Sequence, residues 1–214
     1  MYIPHVNAVD DIADIRAFVA AARVAQLVTV DGDGTPLATL LPVIWDGDRL
    51  IAHVARANPQ WRSIGPSTTG LAIVTGPDAY ISPSWYPSKA EHGRAVPTWN
   101  YSAVHLTGPV TAHHEPEWLR DAVTRLTDVH EAGREHPWAV TDAPERYTTG
   151  QLRAIVGIEL AVARIEAKSK MSQNRSEADR AGVVAGLRAE PGVAAHAVAD
   201  AVVSGRLTAA PHAG

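Results

Sequence analysis

A chain of 214 residues, 46% apolar and 20% charged, has enough material for one well-buried domain with a small appendage. It contains no cysteine, which excludes disulfides, thiolate catalysis and Cys-based zinc sites. The formal charge of −4 argues against a broad DNA-binding face, which needs an excess of Lys and Arg to displace counterions. No apolar run approaches the roughly 20 residues needed to cross a bilayer. The opening MYIPHVNAVDD lacks a basic stretch followed by an apolar one, so a cytoplasmic location is expected.

In chain order, Asp10 is expected to cap a first helix that carries Ile12, Ile15, Phe18, Val19 and Ala22 at helical spacing. AQLVTV (25–30) reads as a strand, DGDG (31–34) as a turn, and LATLLPVIW (37–45) as a second strand. DGD (46–48) signals a hairpin into a third strand, RLIAHVA (49–55). NPQWRSIG (58–65) reads as a short helical turn and LAIVTG (71–76) as a fourth strand. Residues 78–101 read as a loop crowded with aromatics and prolines. SAVHLTGPVTAH (102–113) resumes β character, with a break expected at Gly108–Pro109. Pro116 opens a helix that ends near Gly133, and a second helix covers 145–154. IVGIELAVARIEA (155–167) alternates as one long strand. Ser176 with Asp179 reads as a capping box, with Asp in place of Glu, for a helix through Leu187. Residues 193–205 read as a terminal helix and TAAPHAG as a frayed tail.

Six strands and four or five helices, with hairpins first and helices inserted late, predict an α+β, mainly β fold. The expected architecture is an antiparallel barrel decorated with helices, not βαβ units. Residues 1–190 are expected to form the domain. Residues 191–214 add a helix and tail that belong to it or touch a dimer partner.

No GxGxxG follows a strand and there is no P-loop, so a Rossmann dinucleotide fold is not expected. His113 and His114 are adjacent and would point to opposite strand faces, and no HExxH exists, so no metal site is expected. There is no GxSxG for nucleophilic catalysis.

Three segments carry binding chemistry. In 78–101, DAYISPSWYPSKAEHGRAVPTWNY, five aromatic residues alternate with hydroxyls and an amide. That mixture suits a wall against a flat polar ligand, and it equally suits core packing or a dimer seam. In HVARANPQWR (53–62), Arg56 suits bidentate phosphate binding and the Pro-initiated turn offers further N–H donors. The alternative is a surface salt bridge at Arg56 and a core role for Trp61. In KSKMSQNRSEADR (168–180), Lys168 and Lys170 share a strand face, and Ser172, Gln173 and Asn174 supply neutral donors and acceptors. The alternative is a polar exit loop.

Together, GPDAYISPSWYPSKAEHGRAVPTWNY, HVARANPQWR, LTDVHEAGREHPWAV and KMSQNRSEADRAGVVAGL resemble the PaiB-type FMN-binding negative transcriptional regulators, from about Tyr2 to Leu187. The resemblance implies a split β-barrel of the pyridoxamine-oxidase-like kind, a homodimer with FMN at the seam. On the matching positions, Arg56 with Lys170 suits the phosphate. Asn58, Ser84 and Thr98 suit the ribityl chain or ring edge. Trp85, Tyr86 and Trp99 suit ring walls beside Trp61, and Asn100 and Gln173 suit the pyrimidine edge. Two positions depart from the pattern: Leu40 stands where many members have His, and Ser169 where many have an aromatic. Two functions follow as expectations. One is regulation through flavin or a small-molecule ligand, with direct DNA binding weakly supported. The other is an FMN-dependent oxidoreductase on a small molecule, with His92 and Lys89 as candidate proton donors.

Overall fold

The computed structural model describes residues 1–209. In chain order its elements are α1 (Ile12–Ala22), β1 (Val24–Val30), β2 (Pro36–Pro42), β3 (Ile44–Asp46), β4 (Arg49–Ala55), β5 (Thr69–Ile81) and α2 (Ser88–His92). Then come β6 (Thr98–His113), α3 (Pro116–Glu131), α4 (Glu145–Leu152), β7 (Ile155–Ala161), β8 (Arg164–Lys170), α5 (Glu177–Ala189) and α6 (Val193–Ser204). Two compact units interleave along the chain. The first holds Met1–Ala22, Val74–His105 and 166–209, and the second Arg23–Ile73 and Leu106–Ile165.

The second unit contains the antiparallel meander. Asp31 accepts N–H groups from Asp33 and Thr35, and Gly34 takes the positive φ that closes the turn between β1 and β2. The two strands then pair from Val24↔Pro42 to Val30↔Pro36. The strand order is β2-β1-β5-β6-β7-β4-β3. In β1, alternate residues Ala25, Leu27 and Thr29 are buried, as a half-covered strand requires. Helices α3 and α4 lie against this sheet through Leu119, Ala122, Leu126 and Leu152. At Gly157 in β7, a Cβ would come 2.0 Å from Trp118 Cζ3, so only glycine lets the α3 indole lie on the strand.

In the first unit, α5 and α6 close over a core of Ile81, Tyr86, Met171, Val183, Leu187 and Val202. Gly182 and Gly186 stand one turn apart on α5. A Cβ would meet the Trp85 carbonyl oxygen at 2.0 Å from the first and the Trp85 ring at 2.2 Å from the second. The two glycines make the groove in which Trp85 is seated. Strand β8 pairs with β6.

The α+β class and the antiparallel sheet with helices are as expected, but eight strands and six helices exceed the expected count. Asp11, not Asp10, caps α1, accepting from the N–H groups of Ala13 and Asp14, because the helix begins at Ile12. The expected strand 37–45 breaks at Val43, whose N–H is drawn to the Arg23 carbonyl at 2.9 Å. The fourth strand runs on to Ile81 and β6 starts at Thr98, so Tyr80, Trp99 and Tyr101 sit on strands and only 82–97 connects them. Within that connection SKAEH is a short helix, not a loop tip, and Gly93 ends it in the left-handed region. β6 does not break at Gly108–Pro109. Glycine there admits the Ala161 carbonyl, which a Cβ would meet at 1.7 Å, and pairing resumes at Val110↔Leu160. The expected long strand 155–167 splits where Val162 and Ala163 donate to Asp48 and Thr107. The capping box is half made. Ser176 accepts from the Asp179 N–H, but the Asp179 carboxylate binds the N–H and hydroxyl of Ser88. The helix expected at 193–205 is α6. Of the expected frayed tail, 210–214 lie outside the described residues.

Candidate functional site

The residues singled out above fall into two groups, one in each unit. In the second unit, β4 ends at Ala55 and the 3₁₀ turn Pro59–Ser63 follows. Asn58 caps that turn by accepting the Gln60 N–H at 2.9 Å, and it donates to Thr39 Oγ1 at 3.0 Å. Gln60 is 3% exposed, and its amide donates to Leu27 O, Thr29 Oγ1 and Leu37 O. Arg56 makes no ion pair among the described residues. Its Nε donates to Arg153 O at 2.7 Å and its Nη2 to Ile155 O at 2.9 Å. Trp61 donates from Nε1 to Arg56 O and meets His114 edge-on at 5.3 Å, half-buried. This segment is therefore a set of polar groups largely satisfied by its own unit.

In the first unit, Thr98 and Asn100 lie on one face of the start of β6, with Trp99 and Tyr101 on the other. Lys170, the last residue of β8, donates to Thr98 Oγ1 and has no carboxylate partner among the described residues. Asn100 is fully buried and donates to Ser172 Oγ at 3.0 Å. Ser172 holds a positive φ of 60°, and the chain turns there out of β8. Gln173 folds back, accepting from Met171 N and donating to Ser169 O. The Ser169 hydroxyl is buried and has no hydrogen-bond partner among the described residues. Lys168 is 6% exposed, held by Tyr2 O and Tyr101 Oη, with its ammonium 4.9 Å from the Tyr101 ring centroid.

The aromatic residues separate by role. Trp99 is 53% exposed and packs edge-on to Tyr80 at 6.3 Å. Trp99 and Tyr101 line a cavity of about 360 Å³ with Asp78 and Ser102. Trp85 is seated against α5. Tyr86 is a core residue with the Arg175 guanidinium 4.6 Å over its ring. Burial pushes the Tyr86 phenol above its ordinary pKa, and the neighbouring Arg175 charge offsets part of that. Ser84 is exposed, its N–H held by Ser82 Oγ.

The first unit thus brings together Thr98, Asn100, Lys170 and Gln173, with Ser84, Trp85, Tyr86 and Trp99 on neighbouring elements. Arg56, Asn58 and Trp61 form their own cluster in the second. Sequence reasoning missed Gln60; it marked Lys168, Ser169 and Ser172 within their segment without giving any of them a place in the cluster. The SxxD spacing at Ser176 did signal Asp179, but its tie to Ser88, 91 residues away, has no local signature.

The donor set of the first unit fits an FMN-type group. A cation without a counter-charge suits a phosphate, unbonded and paired hydroxyls with amides suit a polyol or ring edge, and an exposed indole suits a flat ring. The family model described as "Putative FMN-binding domain" matches residues 1–164. The Bacillus subtilis "Protease synthase and sporulation protein PAI 2" is 34% identical over 194 residues, 89% of this chain and 90% of that protein. Among solved structures, the flavocytochrome Anf3 from Azotobacter vinelandii is similar with a TM-score of 0.59 at 18% identity, over 83% of this chain and 76% of that one. The FAD and heme binding protein from Mycobacterium smegmatis has a TM-score of 0.60 at 18% identity, over 82% and 79%. At such identities the structures show a shared fold alone. The family match and the Bacillus relative go further: the chain belongs to the PaiB-type FMN-binding family, with its mainly antiparallel α+β split-barrel fold and FMN as its cofactor.

Proposed function

We propose that the chain is an FMN-binding regulatory protein that acts through flavin or a small metabolite and does not read DNA itself. The observation that carries the flavin part is the β6–β8 cluster, where Lys170 lacks a carboxylate partner among the described residues and Ser169 keeps a buried, unbonded hydroxyl. The regulatory part is supported by the relative named for protease synthase and sporulation, which spans 89% of this chain. A net charge of −4 supports control through a ligand or partner protein over direct operator binding. In this reading Lys170 meets the phosphate, while Arg56, Asn58 and Trp61 of the second unit are a separate group of candidate flavin contacts. Thr98 and Ser84 offer hydrogen bonds to the ribityl chain. Trp99 and Trp85 border the ring, with Tyr86 supporting from behind. Asn100 and Gln173 address the pyrimidine edge. Bound flavin supplies reversible electron or hydride acceptance, and these side chains bind and orient it. Assembly as a homodimer in the cytoplasm belongs to the same proposal.

A second reading, an FMN-dependent oxidoreductase on a small molecule, is favoured by a cleft of about 650 Å³ bordered by Ser88, Glu91, His92, Arg94, Arg175 and Asp179. His92 accepts the Arg94 N–H at Nδ1 and is exposed at the edge of this cleft. Anaerobic mixing of the flavin-loaded protein with NADH or NADPH separates the two. The regulatory reading expects the visible flavin absorbance to persist. Rapid bleaching with turnover on re-admission of oxygen overturns it. The flavin contacts are checked by titrating FMN into stripped protein: Lys170→Met is expected to bind about tenfold more weakly, or worse, with the fold intact. Unchanged affinity removes Lys170 from the site.

A further inference from the structure

The second unit holds a cleft of about 310 Å³ bordered by α3, α4 and the chain just after β4. Pro116, Leu119 and Leu152 give it apolar walls, and Arg56, Arg120 and Arg153 stand around it. No Asp or Glu lines it. Arg120 pairs with the carboxylate of Glu145, an exposed residue at the start of α4. Arg56 and Arg153 have no carboxylate partner among the described residues.

Three guanidinium groups around one small space repel one another, and apolar walls that hold water back strengthen the repulsion. The chain is not short of counter-charges, with 23 Asp and Glu against 19 Lys and Arg. A surface arranged for stability alone would intersperse the two signs, yet only Glu145 reaches this group. Arg56 is also fixed in place. Its Nε and Nη2 donate to the carbonyls of Arg153 and Ile155, where α4 ends and β7 begins. Those bonds hold the planar fork still, leave it further N–H donors and bring no carboxylate to it. A rigid cation without a counter-ion, beside a second one and over apolar walls, is the arrangement that receives an oxyanion.

We infer that this cleft is a second ligand site, for a small dianion on an apolar body, a phosphate monoester or a dicarboxylate. The two guanidinium groups without carboxylates set the charge. The three apolar walls set the carbon body, because a bare inorganic anion would leave them facing water. The volume keeps the ligand small, since binding pockets start at roughly 300 Å³. The inference goes beyond the flavin reading, in which Lys170 of the first unit meets the phosphate. It moves Arg56 from the candidate flavin contacts to this second ligand.

The test is calorimetric titration of the whole chain, flavin-loaded and flavin-stripped, with phenyl phosphate and with phthalate at low ionic strength. Saturable binding of at least one is expected, alike in both forms, and the tighter of the two identifies the head group. Benzyl alcohol, which has the apolar body without the charge, is expected to bind about tenfold more weakly or worse. Arg153 is exposed, so Arg153→Gln is expected to weaken binding about tenfold and leave the melting temperature unchanged. Glu145→Gln is expected to tighten binding about threefold, because it releases Arg120 to the ligand. No saturable binding of either dianion, equal binding of benzyl alcohol, or unchanged affinity in either variant overturns the inference. So does loss of binding on loading with FMN, which would make the cleft the seat of the flavin phosphate. A chain that never takes up FMN would fail the flavin reading alone, since the stripped protein still reports on this cleft.

Discussion

The segment after β4 and the junction of β6 with β8 look alike as sequence, each a run of basic, amide and hydroxyl residues leaving a strand. In the structure they differ in what their polar groups do. After β4, Arg56 holds two carbonyls, Asn58 caps the turn, and Gln60 ties three acceptors on β1 and β2 from a buried position. At the β6–β8 junction, Lys170 is tied only to Thr98, and the Ser169 hydroxyl to nothing among the described residues. Satisfied polar groups build a frame, and unsatisfied ones stay available for a ligand. A polar cluster becomes evidence of binding only once its internal hydrogen bonds have been counted.

The largest expected effect falls on the frame. Gln60→Leu keeps the size but strands Leu27 O, Leu37 O and the Thr29 hydroxyl together in a dry place. The expected loss is about 3 kcal/mol of stability by urea denaturation. A loss below about 1 kcal/mol would mean that water replaces the amide, and the segment would then be no frame.

Arg56→Lys sharpens the contrast at intermediate size. Lysine keeps the charge but cannot span two carbonyls at once as the planar guanidinium does. If the frame role dominates, stability falls by about 1 kcal/mol while FMN affinity changes less than about threefold. If affinity falls tenfold with stability unchanged, Arg56 serves chiefly as a phosphate ligand and the two regions are more alike than their hydrogen bonds suggest.

The meander from β1 to β4 was legible because each turn carries its own chemistry: Asp31 and Gly34 in one, Gly47 with a positive φ in the other. Helices α3, α5 and α6 were legible from spacing and end signals. The strand ends were not. The break at Val43 depends on Arg23, and the break at Val162 on Asp48, both distant in sequence and invisible to periodicity. The same limit applies to the site. Residue type marked Lys170, Asn100 and Gln173, but the bonds of Lys170 and Asn100 run to Thr98 and Ser172, each 72 residues away. The aromatic stretch left its alternatives open for a related reason. It mixes a core residue (Tyr86), a groove-seated one (Trp85) and an exposed one (Trp99), which identical side-chain chemistry does not distinguish.

The smallest effect is the most discriminating. Ser169 is 3% exposed, and its hydroxyl lies buried without a partner among the described residues. Deleting an unbonded buried hydroxyl removes a desolvation cost and loses no bond, so Ser169→Ala is expected to leave the stability of the flavin-free protein within about 0.5 kcal/mol, on the stabilising side. If the hydroxyl is kept for the cofactor, the same substitution weakens FMN binding severalfold, and flavin-loaded and stripped protein respond in opposite directions. Equal responses of the two forms would make Ser169 a packing residue that replaced the family's aromatic, and Lys170 would then carry the ligand side of the contrast alone.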